Sequence, residues 1–225
     1  MFWDRTIFIL IPAIIFSLIA QGMVKSTFSK FSKVSNSRGL TGFDAARAIL
    51  DRNGLSHIRI ERVGGELTDH YDPRANVIRL SDSVYGSTSV AAVGVAAHEA
   101  GHAVQYAVGY SPIKLRNSII PITQFGSSLS TPLVILGIVF SWDFLITAGI
   151  LLFCGVVLFQ AVTLPVEFNA SRRAITTLRD DAFLDDDELR GAKKVLTAAA
   201  MTYVAAMVSA LLSLVRLLVL SKRRR

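Results

Sequence analysis

His98 and His102 stand four residues apart in the stretch "VAAHEAGHAVQYA" (95–107), with Glu99 directly after the first. On a helix, residues at i and i+4 project from one face about one turn apart. Two imidazoles so placed can hold a divalent metal, and zinc takes histidine nitrogen at about 2.0–2.1 Å. Glu99 lies about 100° further round the helix. That angle keeps it out of the ligand pair but within reach of a water at the metal's open position. A carboxylate there takes a proton from the water and passes it to a leaving amine. The plain alternative is a buried helix holding two satisfied histidines. Burying two imidazoles and a carboxylate among small apolar residues is costly unless something pairs them, which favours the metal.

The elements that position this helix are read from the apolar runs. The chain has 225 residues, 52% of them hydrophobic, and a net charge of +7. Its mean hydropathy is positive. This is apolar for a soluble domain and predicts a mostly α membrane protein. Much of the excess positive charge flanks the apolar runs, where it sets topology and meets anionic headgroups. The bilayer is therefore the expected partner, and nucleic acid is not. Cys154, the single cysteine, lies inside an apolar run, so no internal disulfide is possible.

The first run, 7–20, has Arg5 before it and Lys25, Lys30 and Lys33 after it. A cleaved signal peptide carries its charge before the apolar stretch. An uncleaved anchor with a cytoplasmic C-terminal end is expected instead. Runs 119–140 and 144–164 are joined by "SWD", which has no positive charge. They predict a hairpin with its tip outside. The last run, 195–220, makes a fourth span, although it carries "SKRRR" outside against the positive-inside tendency. An interfacial or re-entrant helix is the alternative there.

Between the first two spans, 39–110 reads as a small α+β, zincin-like region. "TGFDAARAILDRNGL" predicts a helix with Thr41 as N-cap and Gly54 as stop. "HIRIERV" alternates as a strand does. A turn at Asp72-Pro73 leads to a strand at 76–80, and Ser87 or Ser89 caps a helix running through His98 to about Val108. The expected division is an anchor (1–24), a catalytic domain (25–116), a hairpin (117–164), a third-ligand segment (165–194), and a membrane helix with a basic tail (195–225).

A catalytic zinc keeps three protein ligands and one open position. The third ligand must lie on the same side of the membrane as His98. The hairpin leaves that side and returns, and the first carboxylate after its return is Glu167, in "LPVEFNASRRA". Asp143 sits at the opposite end of the hairpin. Asp180 and the acids after it, including "DDDE" near Asp185, read as solvated residues. Glu167 has its own plain alternative, a carboxylate near a helix N-terminus. His70, in "TDHYDP", is either a substrate-facing residue or part of a plain turn, and His57 reads as a surface residue.

"HEAGHAVQ", the hairpin and "VEFNASRRA" together resemble the bacterial neutral zinc metallopeptidase family of small membrane proteins (YugP-type). The resemblance covers nearly the whole chain and is close over "LTDHYDPRANVIRLSDSVYGSTSVAAVGVAAHEAGHA" and "TLPVEFNASRRA". The chain is more distantly similar to CAAX prenyl endopeptidases and to bacterial heat-shock membrane metalloproteases. These share a gluzincin plan of His-Glu-x-x-His, a membrane hairpin and then a glutamate ligand. The resemblance implies a Zn²⁺-dependent peptidase, an endopeptidase, acting on peptide or protein substrates in the bacterial cytoplasmic membrane. The charge pattern puts its site on the cytoplasmic side. In those distant relatives an aspartate often follows the glutamate by four positions. Here that position is Ser171, so Asn169 or Ser171 takes over the orienting of an imidazole. In gluzincins the substrate backbone pairs with an edge strand beside the active helix, and "NVIRLSD" is the expected strand. Tyr71, Tyr85, His70 and Arg172 are candidates to stabilise the oxyanion.

Three other readings fit less of the sequence. A site-two-type intramembrane protease takes an aspartate ligand from an Asn/Asp-Gly motif in a later span, and no Asp-Gly occurs here. A non-catalytic metal-binding scaffold has no need of Glu99. A basic surface protein that recruits a partner explains the charges but not the histidines. The residues name no adaptor or oligomeric partner.

Overall fold

The computed structural model describes residues 5–222, and the three arginines that close the basic tail lie outside them. A 3-10 turn at Arg5–Leu10 runs into α1 (Ile11–Phe31). α2 is Gly42–Arg52, and three strands follow: β1 (Arg59–Val63), β2 (His70–Asp72) and β3 (Val77–Ser81). The remaining helices are α3 (Asp82–Tyr85), α4 (Val90–Ala107), α5 (Ser111–Phe140), α6 (Asp143–Asp180) and α7 (Asp186–Lys222). Four stretches are long and apolar enough to cross a membrane: Arg5–Phe31, Ser111–Phe140, Asp143–Asp180 and Asp186–Lys222. The protein is a mostly α membrane protein with a small α+β region, as the apolar runs predict.

The chain divides into two compact units. One holds the residues up to Gln21, Pro112–Pro165 and those from Met201 on; the other holds Gly22–Ser111 and Val166–Ala200. Inside the first, α5 and α6 touch through their backbones. A Cβ on Gly126 would lie 2.7 Å from the Leu152 carbonyl oxygen, and one on Gly149 would lie 2.6 Å from that of Ser130. In lipid there is no hydrophobic drive between helices, so small residues gain stability by close approach. In the same unit α7 runs beside α1. Ser17 and Ser209 place their hydroxyls 3.4 Å apart, and Arg216 Nε donates to Thr6 Oγ1 at 3.2 Å. Arg216, a charge inside the last apolar run, thus has a buried polar partner.

The second unit is built on local signals. Thr41 and Asp44 form a reciprocal capping box at the start of α2, and Gly54 takes φ 70° just past its end. α2 buries Ala45, Ala46, Ile49 and Leu50 against α4. Ser89 caps α4 by accepting the Ala92 N–H at 3.2 Å. "DDDE" opens α7: the Glu188 N–H donates to Asp185 Oδ1 at 2.9 Å, and the Asp185 N–H donates to Glu188 Oε2 at 3.0 Å. The acidic run is therefore a capping box, and Glu188 is buried because its other oxygen accepts the Ser37 N–H at 2.6 Å.

The sheet corrects one expectation. Its order is β1-β3-β2, with β1 parallel and β2 antiparallel to β3. "NVIRLSD" is thus the central strand, with both edges already paired, and it has no free edge for a substrate. The physical reason is in its side chains: Val77, Ile78 and Leu80 are all buried, as a middle strand requires. The outer strand beside it is His70–Asp72, a segment read from sequence only as the approach to a turn.

Candidate metal centre

α4 reaches the site because it is nearly all Ala, Gly and Val, so other helices can lie against it. A Cβ on Gly94 would meet the Ala192 Cβ at 3.3 Å, and one on Gly101 would meet the Ala170 carbonyl oxygen at 2.8 Å. The second contact lays α6 across α4 inside the histidine motif. Pressed there, α6 turns Glu167 inward, where it is 3% exposed.

The histidines and Glu167 converge. His98 Nε2 lies 3.3 Å from Glu167 Oε2, and His102 Nε2 lies 3.4 Å from the same oxygen. One ligand atom from each of the three falls within 4.8 Å of the others, and this is the one such group among the described residues. The imidazole planes are almost perpendicular, at 84°, so their Nε2 atoms meet without the rings stacking.

The other ring nitrogen of each histidine is held. His102 Nδ1 is 3.0 Å from Gln105 Oε1, and His98 Nδ1 is 3.1 Å from Ser171 Oγ. A proton on each Nδ1 satisfies these bonds and leaves each Nε2 directed at Glu167, a donor to its carboxylate when protonated and a metal-ligating lone pair when not. Gln105 is fully buried, and its amide nitrogen donates to Val166 O at 2.8 Å and to Asn169 Oδ1 at 3.0 Å. Arg173 Nε also donates to Asn169 Oδ1, at 2.9 Å. Ser171 and Asn169 therefore both stand beside the cluster, the first on a histidine and the second on the glutamine that holds the other. Sequence reading missed Gln105. Its signal was an amide on an apolar helix, three residues beyond His102.

His102 has a raised pKa. Burial alone disfavours the imidazolium, but the hydrogen bond to Glu167 and the charges of Glu99 and Glu167 together outweigh it. Two imidazoles and a carboxylate are a donor set that suits zinc. The distances suit it as well. A tetrahedron with bonds of about 2.0–2.1 Å has edges of about 3.3–3.4 Å. Glu99 is buried at the adjacent position of α4, and burial lifts the pKa of Asp69, with the Glu99 charge adding to the lift.

The other candidates have their polar contacts elsewhere. His70 is exposed, with Nδ1 2.8 Å from Thr68 O and Nε2 3.4 Å from Arg79 Nη1. Tyr71 donates to Asn76 Oδ1 at 3.2 Å and packs edge-on against Tyr106. Tyr85 lies under the Arg62 guanidinium. Arg172 is exposed and lines a cavity of about 220 Å³ with Asn53 and Thr176. His57 is exposed, as expected.

Fold and site together define a membrane protein with an α+β region whose central helix and a later helix bring two histidines and a glutamate together. Residues 6–222 match the family model described as "Putative neutral zinc metallopeptidase". The chain belongs to that family. It is 47% identical over 210 residues to the "Putative membrane protease YugP" of Bacillus subtilis (strain 168), a match that covers 93% of each chain. No solved structure matches it.

Proposed function

We propose that this chain is a zinc-dependent endopeptidase of the bacterial cytoplasmic membrane, built on the gluzincin plan, with His98, His102 and Glu167 as metal ligands and Glu99 as general base. The observation that carries this reading is the pair of Nε2 to Oε2 distances, 3.3 and 3.4 Å, which match two edges of a zinc tetrahedron. Zinc held there supplies a Lewis acid that makes water a nucleophile near neutral pH and polarises the scissile carbonyl.

The chain's own groups do the rest. Gln105 and Ser171 fix the two rings so that both Nε2 atoms face one point. Glu99 accepts the proton of the attacking water at its carboxylate and returns it to the departing amine. Its burial keeps bulk water away from that proton. An extended peptide adds to the sheet along β2, the outer strand in contact with α4. The lysines after the first apolar run and the arginines after Glu167 support a cytoplasmic site.

Metal analysis of the detergent-purified protein tests this. Wild type holds about one zinc per chain, as a catalytic site of this kind requires. His98→Ala and His102→Ala lose it. Glu99→Gln keeps the zinc and loses peptide hydrolysis, because an amide cannot take the proton. Full zinc occupancy in both histidine variants sinks the site, and unchanged turnover in Glu99→Gln removes the base.

A further inference from the structure

The second unit contains a cavity of about 560 Å³ between the end of α1 and the start of α7. The two helices touch beside it. A Cβ on Gly191 would fall 2.7 Å from the Phe31 ring. The wall of the cavity is graded. Met23 and Ala198 give an apolar surface at the end nearer the apolar runs, Phe31 lies at the other end against Gly191, Ser26, Thr27 and Thr197 add hydroxyls, and Lys30, Arg190, Lys193 and Lys194 add positive charge.

Among the described residues the charge there is only partly cancelled. Arg190 pairs with Asp187, and the Lys30 ammonium lies 5.7 Å from the centre of the Phe31 ring. Lys193 and Lys194 are exposed and make no ion pair among the described residues. The place of the cavity along the helices matters as much. The apolar run of α1 ends three residues before Met23, and that of α7 begins directly after Lys194. Met23 and Lys30 are separated by roughly 10 Å along α1, about the depth of the headgroup layer and the first methylenes below it.

We propose that this cavity binds one anionic glycerophospholipid of the surrounding bilayer. The phosphate sits among Lys30, Lys193 and Lys194, glycerol oxygens meet the hydroxyls, and the upper acyl chain lies on Met23 and Ala198. A basic pocket between spanning helices suits such a headgroup. The apolar surface and the volume argue against a small soluble anion, which would use neither.

The test is native mass spectrometry of the full chain, released from detergent that carries equal amounts of phosphatidylglycerol and phosphatidylcholine. Wild type retains one phosphatidylglycerol in preference. The double variant Lys193→Gln/Lys194→Gln binds it about 25-fold more weakly, the product of two basic contacts worth about fivefold each. Lys25→Gln/Lys33→Gln removes the same charge near the same surface but outside the cavity, and it retains the lipid. Thr197→Trp fills the cavity without changing charge and loses the lipid. Circular dichroism checks that each variant is folded. Equal loss in both lysine pairs reduces the effect to diffuse surface attraction and overturns the proposal. So does equal retention of phosphatidylcholine, retention in Thr197→Trp, or displacement of the lipid by millimolar inorganic phosphate.

Discussion

Gly101 and Ala170 meet backbone to backbone: a Cβ built on Gly101 would lie 2.8 Å from the Ala170 carbonyl oxygen. That oxygen belongs to the main chain of α6 and cannot rotate aside. Gly→Ala inside a helix ordinarily stabilises by roughly 0.5–1 kcal/mol. Overpacking of this kind costs about 1–3 kcal/mol, so the clash wins. Gly101→Ala is expected to lower the melting temperature in detergent. It also weakens zinc binding, because Glu167 and Ser171 flank Ala170 and move with it. A variant as stable as wild type would show that the helices have room to part.

Gln105 makes a prediction with two halves. Gln105→Leu keeps the volume but leaves the buried His102 Nδ1–H without its acceptor and removes the second hydrogen bond to the Val166 carbonyl, at a cost of about 1–3 kcal/mol. It also frees the His102 ring, which lowers zinc affinity by about 10–100-fold. Gln105→Glu keeps the acceptor for His102 Nδ1 and loses the donor to Val166 and Asn169. It is expected to recover the affinity while the thermal stability stays low. Loss of both properties in the glutamate variant would mean that its role is packing alone.

Glu167→Ala is expected to weaken zinc binding by more than the roughly 100-fold that marks the loss of an orienting partner. Asp180→Ala should leave it unchanged. α6 runs unbroken from Asp143 to Asp180, so Asp180 is roughly 20 Å from Glu167 along the helix. It is exposed there, with Arg179 Nε at 3.4 Å. The reverse result in an isothermal titration would overturn the third ligand.

How much of this was legible in the sequence follows the range of each interaction. The capping box at Thr41, the helix from Ser89 through His102 and the four apolar spans are local patterns, and each could be read. Glu167 could be placed because a hairpin must return to the side it left. Gln105 bonds to Val166 across 61 residues, and no local period reports that. β2 was missed because three residues are too few to show alternation. β3 was misplaced to an edge because a short apolar run does not say how many neighbours it has.

Topology gives a separate test. With Cys154 replaced by alanine, single cysteines at Ser37 and Arg179 should react with an impermeant reagent from the cytoplasmic side, and one at Trp142 from the opposite side. All three positions are exposed. Labelling of Ser37 and Arg179 from different faces would break the hairpin argument for Glu167.

Two aspartates predict opposite dependences on pH. Burial raises the Asp69 pKa above its ordinary 3.8, and the hydrogen bonds from Ser81 do not cancel the rise. The folded state then holds that proton more tightly than the unfolded state, so stability falls as pH rises from 3.8 through the raised value. Asp69→Asn should melt higher than wild type at pH 7, and the gap should close below pH 3.8. Asp72 is lowered by hydrogen bonds from the Ala75 N–H, from Arg79 and from the Arg74 N–H. Its contribution is present above the unfolded value and is lost as pH falls through the folded one. Asp72→Asn should melt lower at pH 7 and match wild type in strong acid. Melting curves at both pH values decide each case.

The bond from Gln105 to Val166 also carries a consequence for how the protein is made. α4 leaves the ribosome well before α6, and the whole out-and-back passage of α5 and the first part of α6 lies between them. Gln105 and His98 cannot meet Val166 and Ser171 until that passage is complete. A nascent chain therefore carries the histidines and Glu99 before Glu167 can stand beside them. Under the proposed function, completion of the hairpin acts as an interlock, since the metal group of His98, His102 and Glu167 is complete only after it.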